Sequence, residues 1–69
     1  MTIKEIGVVI RERRQLLGLL QPDLAEIAQI SINTLYKIER GEANPSVKVL
    51  NKLAEVLGLE LSIAVKKLL

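Results

Sequence analysis

The sequence predicts a mostly α-helical fold: a bundle of four to five short helices followed by a C-terminal β-strand. Three observations support this prediction. Apolar residues recur at helical spacing in four successive segments of the 69-residue chain. Each segment is bounded by a side chain that can cap a helix or by a glycine that can end one. After Gly58 the apolar period changes to two, which is typical of a strand.

The composition excludes several kinds of site. The chain contains no cysteine and no histidine, and Tyr36 is its only aromatic residue. Without cysteine it has no thiolate metal ligand. Without histidine it lacks the commonest metal ligand and the commonest general base. We expect neither an enzyme nor a bound metal or cofactor. A net charge of +2 permits a polyanionic partner. The absence of a long apolar run predicts a cytoplasmic protein without a membrane span.

The first helix is predicted to begin at Thr2. Thr2 and Glu5 have the T-x-x-E spacing of a capping box. Gly18 is a natural residue to follow the last turn of the helix. The apolar positions of this helix recur at helical spacing and comprise Ile3, Ile6, Ile10 and Leu17.

The second and third helices are predicted to lie very close together. The second covers about Gln21–Ala28, and Pro22 suits its first turn. The third begins after the N-cap residue Ser31 and ends before Gly41. Two helices joined by about three residues form a helix-turn-helix, and Ala25 is small where they would cross. The apolar side of the second helix comprises Leu24, Ile27 and Ala28.

The fourth helix is predicted over residues 47–57. Ser46 is its N-cap residue and Gly58 ends it. Its inward positions are expected to be Val47, Leu50, Leu53, Ala54 and Leu57.

The tail, residues 59–69, has a different pattern. Apolar residues from Leu59 to Val65 alternate with Glu60, Ser62, Ala64 and Lys66. A strand is favoured over a continuing helix because Gly58 interrupts the helix and the alternation is unbroken. A lone strand needs another edge to pair with, and a second copy of the chain is the simplest source.

The third helix has two different faces. At about 100° per residue, Leu35, Ile38 and Glu39 cluster on one side. The opposite side presents Asn33, Tyr36, Lys37 and Arg40, with Ile32 at its edge. Asparagine pairs with adenine, and lysine or arginine donates to guanine. From these residues alone, a DNA-reading face and an ordinary solvated face are about equally supported.

The chain from Ile6 to Leu57 resembles the Xre/Cro/CI class of helix-turn-helix repressors. The motifs that carry the resemblance are "IRERR", "GLLQPDLAEIA", Ser31, "IERG" and "NPS". The resemblance implies a lambda-repressor-like bundle in residues 1–58 that binds double-stranded operator DNA as a homodimer. It also implies that each recognition helix enters a major groove.

Roles for individual residues follow from this resemblance. Base reading is implied for Ile32, Asn33, Tyr36 and Lys37. DNA backbone contact is implied for Gln21, Ser31, Thr34, Arg40, Asn44 and Lys48. Arg14 and Glu39 resemble a structural ion pair between the first and third helices. Independently, Lys48 lies in the first turn of a helix, where a cation opposes the helix dipole and a phosphate would remove that conflict.

Three residues depart from the usual pattern of the class. Leu20 replaces a capping side chain at the second helix, and its loss is expected to cost about 1 kcal/mol. Gln29 replaces a glycine in the turn and is expected to be strained if the turn requires a positive φ. Glu42 replaces a lysine and is expected to weaken attraction to the DNA backbone.

The segment "LGLELSIAV", residues 57–65, resembles the C-terminal strand of HipB-like antitoxins. This resemblance implies that the tail strands of two subunits pair through Leu59, Leu61, Ile63 and Val65. It also implies an autorepressor that holds a HipA-type kinase toxin. The alternative is a protein-interaction module with little direct DNA recognition. RNA binding is less well supported because the chain has a single aromatic residue for base stacking.

Overall fold

Four α-helices account for most of the domain in the computed structural model, which describes residues 1–67. They are α1 (Ile3–Leu16), α2 (Gln21–Ala28), α3 (Ile32–Glu39) and α4 (Val47–Leu57). The mostly α-helical prediction is confirmed, with four helices among the described residues. The last two residues of the predicted tail, Leu68 and Leu69, lie outside the described residues.

The capping residues set the ends of the helices as predicted. The Glu5 backbone N–H donates to Oγ1 of Thr2 at 3.1 Å, and the Thr2 N–H donates to Oε1 of Glu5 at 3.0 Å. Ser31 accepts from the Thr34 N–H at 3.0 Å, and Ser46 accepts from the Val49 N–H at 3.1 Å. Each bond satisfies one N–H that has no partner inside its helix.

The core lies between all four helices. Its largest fully buried side chains are Leu24, Leu35, Ile38, Leu53 and Leu57. Ile10 of α1 and the three small residues Ala25, Ala28 and Ala54 complete the buried apolar set. Burial of these side chains is the main favourable term for a domain of this size.

Two residues that were expected on the core-facing sides of their helices, Ile27 and Val47, are exposed. Ile27 is 59% exposed because the buried stripe of α2 is centred on Leu24, Ala25 and Ala28, about 100° away. Val47 is 66% exposed because it lies in the first turn of α4. Ile3 in the first turn of α1 and Leu17 at its C-cap are likewise exposed. Helical spacing alone does not distinguish such border positions from the centre of a buried face.

Helix α1 approaches the C-terminal end of α3 closely at Gly7. A Cβ atom at this position would collide with the carbonyl oxygen of Ile38 and would lie 2.9 Å from that of Glu39. Gly7 therefore permits backbone contact between the two helices.

The predicted tail strand is not supported by the structure. Residues 59–67 form neither a strand nor the competing helix. The Leu59 N–H donates to the Ala54 carbonyl at 2.9 Å and closes the end of α4, and Leu59 is half-buried. Ile63 and Val65 are fully exposed. A strand is stabilised by hydrogen bonds to a neighbouring edge, and a single copy of this chain supplies none to the described part of the tail.

None of the helices in residues 1–67 combines the length and the apolar character needed to cross a membrane.

Candidate nucleic-acid interface

The turn between α2 and α3 consists of Gln29, Ile30 and Ser31. Gln29 has φ 58° and ψ 48°, the left-handed conformation, and is the one non-glycine residue with positive φ in the described chain. The Ile30 N–H donates to the Ala25 carbonyl at 3.0 Å. The predicted helix-turn-helix is confirmed, and the turn does require a positive φ. Gln29 is accordingly strained by about 1–2 kcal/mol relative to glycine.

The start of α2 shows how the missing cap is partly offset. Leu20 makes no side-chain hydrogen bond to the helix, as predicted. The Leu20 N–H instead donates to Oδ2 of Asp23 at 3.0 Å, so one half of a capping box remains. Asp23 also places a negative charge at the positive end of the helix dipole.

The inner face of α3 is held by apolar contacts and by a buried carboxylate. Leu35 and Ile38 are fully buried, and Glu39 is 4% exposed. Nε of Arg14 donates to Oε2 of Glu39 at 2.7 Å, and Nη2 donates to Oε1 at 2.9 Å. The two planar groups thus form a bidentate pair, the geometry that best compensates a buried charge.

The pair is extended by further hydrogen bonds. Nη1 of Arg14 donates to the Leu19 carbonyl at 2.8 Å, and Nε2 of Gln21 donates to Oε1 of Glu39 at 3.0 Å. No buried side-chain nitrogen or oxygen in the described residues lacks a partner. Glu39 thereby connects α1, α2 and α3 and orients the outer face of α3.

The outer face of α3 is accessible. Asn33, Tyr36, Lys37 and Arg40 are all exposed, and so is Ile32 beside them. The guanidinium carbon of Arg40 lies 5.3 Å from the centroid of the Tyr36 ring, and Nε of Arg40 lies 3.3 Å from Oε2 of Glu42. The hydrogen bond to Glu42 raises the pKa of Arg40.

The residues expected at the DNA backbone differ in their surroundings. Gln21 is half-buried and directed to Glu39. Ser31 caps α3 and also donates to Oγ1 of Thr34 at 2.7 Å. Asn44 is exposed in the loop before α4, and Lys48 is exposed in the first turn of α4. Their contacts with phosphate stay predictions.

Two residues that fix how the helices pack were missed from the sequence. Nε of Arg13 donates to the Leu57 carbonyl at 2.7 Å, so Arg13 joins α1 to the C-terminal end of α4. A cation at a helix C-terminus is favourable. A basic residue beside the apolar stripe of α1 was the available signal. The second missed residue is Gly7. Its signal in the sequence was a glycine inside a helix, which costs stability unless a close contact requires it.

Four helices, a three-residue turn and an exposed polar face opposite a buried ion pair define a lambda-repressor-like helix-turn-helix domain. The family model described as "Helix-turn-helix" (HTH_3) matches residues 10–63. The chain belongs to this family. The Xre/Cro/CI-type resemblance of the sequence is thereby confirmed at the level of the family.

Relatives named as transcriptional regulators share this segment. The chain is 46% identical over 55 residues to a Methanococcus maripaludis protein that carries the name of an HTH-type transcriptional regulatory protein; the match covers 80% of this chain and 17% of that protein. It is 46% identical over 50 residues to the HTH-type transcriptional regulator DdrOP3 of Deinococcus deserti, covering 72% of this chain and 39% of the relative. The chain thus spans about a sixth of the length of the first relative.

Solved structures share the fold. The restriction-modification controller protein C.AhdI of Aeromonas hydrophila superposes with a TM-score of 0.81 at 33% identity, covering 84% of this chain and 88% of that one. The clp gene regulator ClgR of Corynebacterium glutamicum superposes with a TM-score of 0.83 at 26% identity, covering 88% and 78%.

Proposed function

We propose that the protein is a cytoplasmic, sequence-specific DNA-binding transcriptional repressor. The observation that carries the proposal is the arrangement of α3. On its inner face, Glu39 is hydrogen-bonded to Arg14 and Gln21. On its outer face, the exposed side chains are Asn33, Tyr36, Lys37 and Arg40. A rigid helix with a polar face is what major-groove reading requires. Membership of the helix-turn-helix family and the names of the relatives support the same function.

In this proposal α3 enters the major groove. Asn33 and Lys37 read base edges, and Ile32 and Tyr36 contact thymine methyl groups or sugars. The DNA backbone is contacted by residues at helix ends and turns, comprising Gln21, Ser31, Thr34, Arg40, Asn44 and Lys48. The free N–H groups at the start of α4 support a phosphate near Lys48, because a helix N-terminus favours an anion. Such backbone contacts position the protein, whereas base contacts give the sequence preference.

Lys37→Ala tests the base-reading part of the proposal. We expect a loss of about 1–3 kcal/mol in binding to the preferred site and a relaxed preference at one or two base positions. The measurement is a binding-site selection from randomised duplexes, followed by titration of the selected site. Lys66→Ala is the matched control, since it removes the same charge from the exposed tail. An unchanged consensus for Lys37→Ala would count against the role of Lys37.

We also propose that the protein acts as a homodimer through its tail. An apolar groove between α1 and α4 is bordered by the tail, and its lining includes Ile6, Val9, Leu50, Leu59 and Leu61. Ile63 and Val65 lie beyond it and are fully exposed. Pairing of two tails would remove these side chains from water and supply the missing strand edge. Two recognition helices would then reach half-sites about one helical turn apart.

Ile63→Lys tests this dimer. We expect the variant to sediment as a monomer at concentrations where the unmodified protein is a dimer, because a charge replaces an apolar contact between the tails. Ala64→Lys is the matched control, because residue 64 faces the other side of an extended tail. A dimeric Ile63→Lys variant would mean that the subunits associate through another surface.

A narrower proposal is that the protein is the antitoxin of a HipA-type kinase toxin and represses its own operon. It is supported by the resemblance of residues 57–65 to HipB-like tails. The neighbouring open reading frame and co-purification with its product are the tests. The alternative, an interaction module without DNA recognition, predicts equal affinity for promoter DNA and random DNA at every salt concentration.

A further inference from the structure

Three exposed side chains form a connected cluster at the C-terminal end of α3. The Arg40 guanidinium lies against the Tyr36 ring, 5.3 Å from its centroid, and pairs with Glu42 at 3.3 Å. The side chains of Arg40 and Glu42 are 55% and 52% exposed, so the cluster is accessible to a ligand. We call these three residues the arginine cluster.

The backbone holds Glu42 in this position. The Glu42 N–H donates to the Lys37 carbonyl at 2.8 Å, and the Gly41 N–H donates to the Ile38 carbonyl at 3.0 Å. Gly41 has φ 73°. This pair of bonds is a Schellman motif, which closes α3 with a defined geometry. The carboxylate of Glu42 is therefore carried by an ordered turn immediately after the recognition helix.

Stability does not account for a carboxylate at this place. A negative charge near a helix C-terminus opposes the helix dipole. An exposed ion pair contributes little to the free energy of folding. We therefore look for a role of Glu42 in ligand binding, at the surface that it shares with Arg40.

Glu42 changes what Arg40 can bind. An isolated arginine attracts any phosphate by its charge, and such attraction is independent of sequence. A neighbouring carboxylate cancels that charge and repels the phosphate. The hydrogen bond to Glu42 uses Nε of Arg40, so it does not consume the terminal nitrogens Nη1 and Nη2. These two donors match the O6 and N7 acceptors of guanine, which carries no net charge.

We propose that Glu42 is a specificity-determining residue of the DNA-binding surface. It holds Arg40 against Tyr36, directs the terminal nitrogens of Arg40 to a guanine edge, and lowers affinity for DNA that lacks this guanine. The inference rests on the proposed function and moves Arg40 from backbone contact to base reading.

The test compares two duplexes across a range of salt concentrations. One carries the site that the unmodified protein selects from a randomised library, and the other is a scrambled duplex of equal length. For Glu42→Gln we expect affinity for the scrambled duplex to rise roughly three- to tenfold and its salt dependence to steepen by about one unit per protomer. Affinity for the selected site should change by less than about twofold, because the guanine contact is already made there. Glu55→Gln, an exposed carboxylate in α4, is the control for net charge.

Arg40→Ala and the double variant Arg40→Ala/Glu42→Gln test whether Glu42 changes DNA affinity through Arg40. Arg40→Ala should remove one guanine from the selected site, and adding Glu42→Gln should then raise both affinities by a similar, smaller factor, because only the repulsion of phosphate by Glu42 is lost. An unchanged ratio of the two affinities in Glu42→Gln overturns the inference, and so does an equal effect in the Arg40→Ala background. If the unmodified protein enriches no sequence, the proposed function itself fails before any variant is made. Circular dichroism of each variant verifies that the fold is retained.

Discussion

Glu39→Gln should lower the free energy of unfolding by about 3–5 kcal/mol, the largest effect that we expect from one substitution. Glu39 is buried and accepts three hydrogen bonds, two from Arg14 and one from Gln21. The neutral amide would leave the Arg14 guanidinium buried without a compensating charge. It would also direct a donor at a group that is itself only a donor. A small domain has few kcal/mol to lose, so a large unfolded fraction is expected at 37 °C.

Urea unfolding followed by circular dichroism measures this change. Glu55→Gln is the control, since the same substitution at an exposed position should alter stability by less than about 0.5 kcal/mol. The double variant Arg14→Met/Glu39→Leu should be more stable than Glu39→Gln, because it removes both charges together and fills a similar volume. A Glu39→Gln variant within about 1 kcal/mol of the unmodified protein would contradict the structural role that we assign to Glu39.

The helix boundaries could be predicted because they depend on local interactions. Thr2, Ser31 and Ser46 each bond to a backbone N–H three residues ahead, and such bonds leave a readable spacing in the sequence. Burial is a property of the packed domain, which explains why Ile27 and Val47 were placed inside wrongly. The tail could not be resolved from sequence for another reason: its alternation indicates a strand, but a strand forms only where a partner edge exists.

The candidate site was predictable in part. The two faces of α3 followed from helical geometry, and the structure has Leu35 and Ile38 inside with Lys37 outside. Geometry alone did not assign DNA binding to the outer face; the family resemblance supplied that assignment. Contacts between distant segments, such as Arg13 with Leu57, required the structure because 44 residues separate the two in the sequence.

Gly7→Ala should destabilise the protein, although alanine is the better helix former. In an exposed helix interior this substitution stabilises by about 1 kcal/mol. At Gly7 the added Cβ would overlap the carbonyl oxygen of Ile38 and press on that of Glu39, and both are backbone atoms at the end of α3. Because backbone cannot move aside as a flexible side chain can, α1 must shift away from α3. We expect a net loss of about 1–3 kcal/mol.

The informative result is whether Gly7→Ala lowers or raises the free energy of unfolding. Urea unfolding of Gly7→Ala measures it, and Gln15→Ala, at an exposed position of the same helix, should be nearly neutral. The shift of α1 would also move Arg14 relative to Glu39, so the folded fraction of Gly7→Ala should bind the selected DNA more weakly. A stabilised Gly7→Ala variant with unchanged DNA affinity would mean that α1 and α3 are not in backbone contact. The orientation of the recognition helix would then depend on the Arg14–Glu39 pair and the apolar core alone.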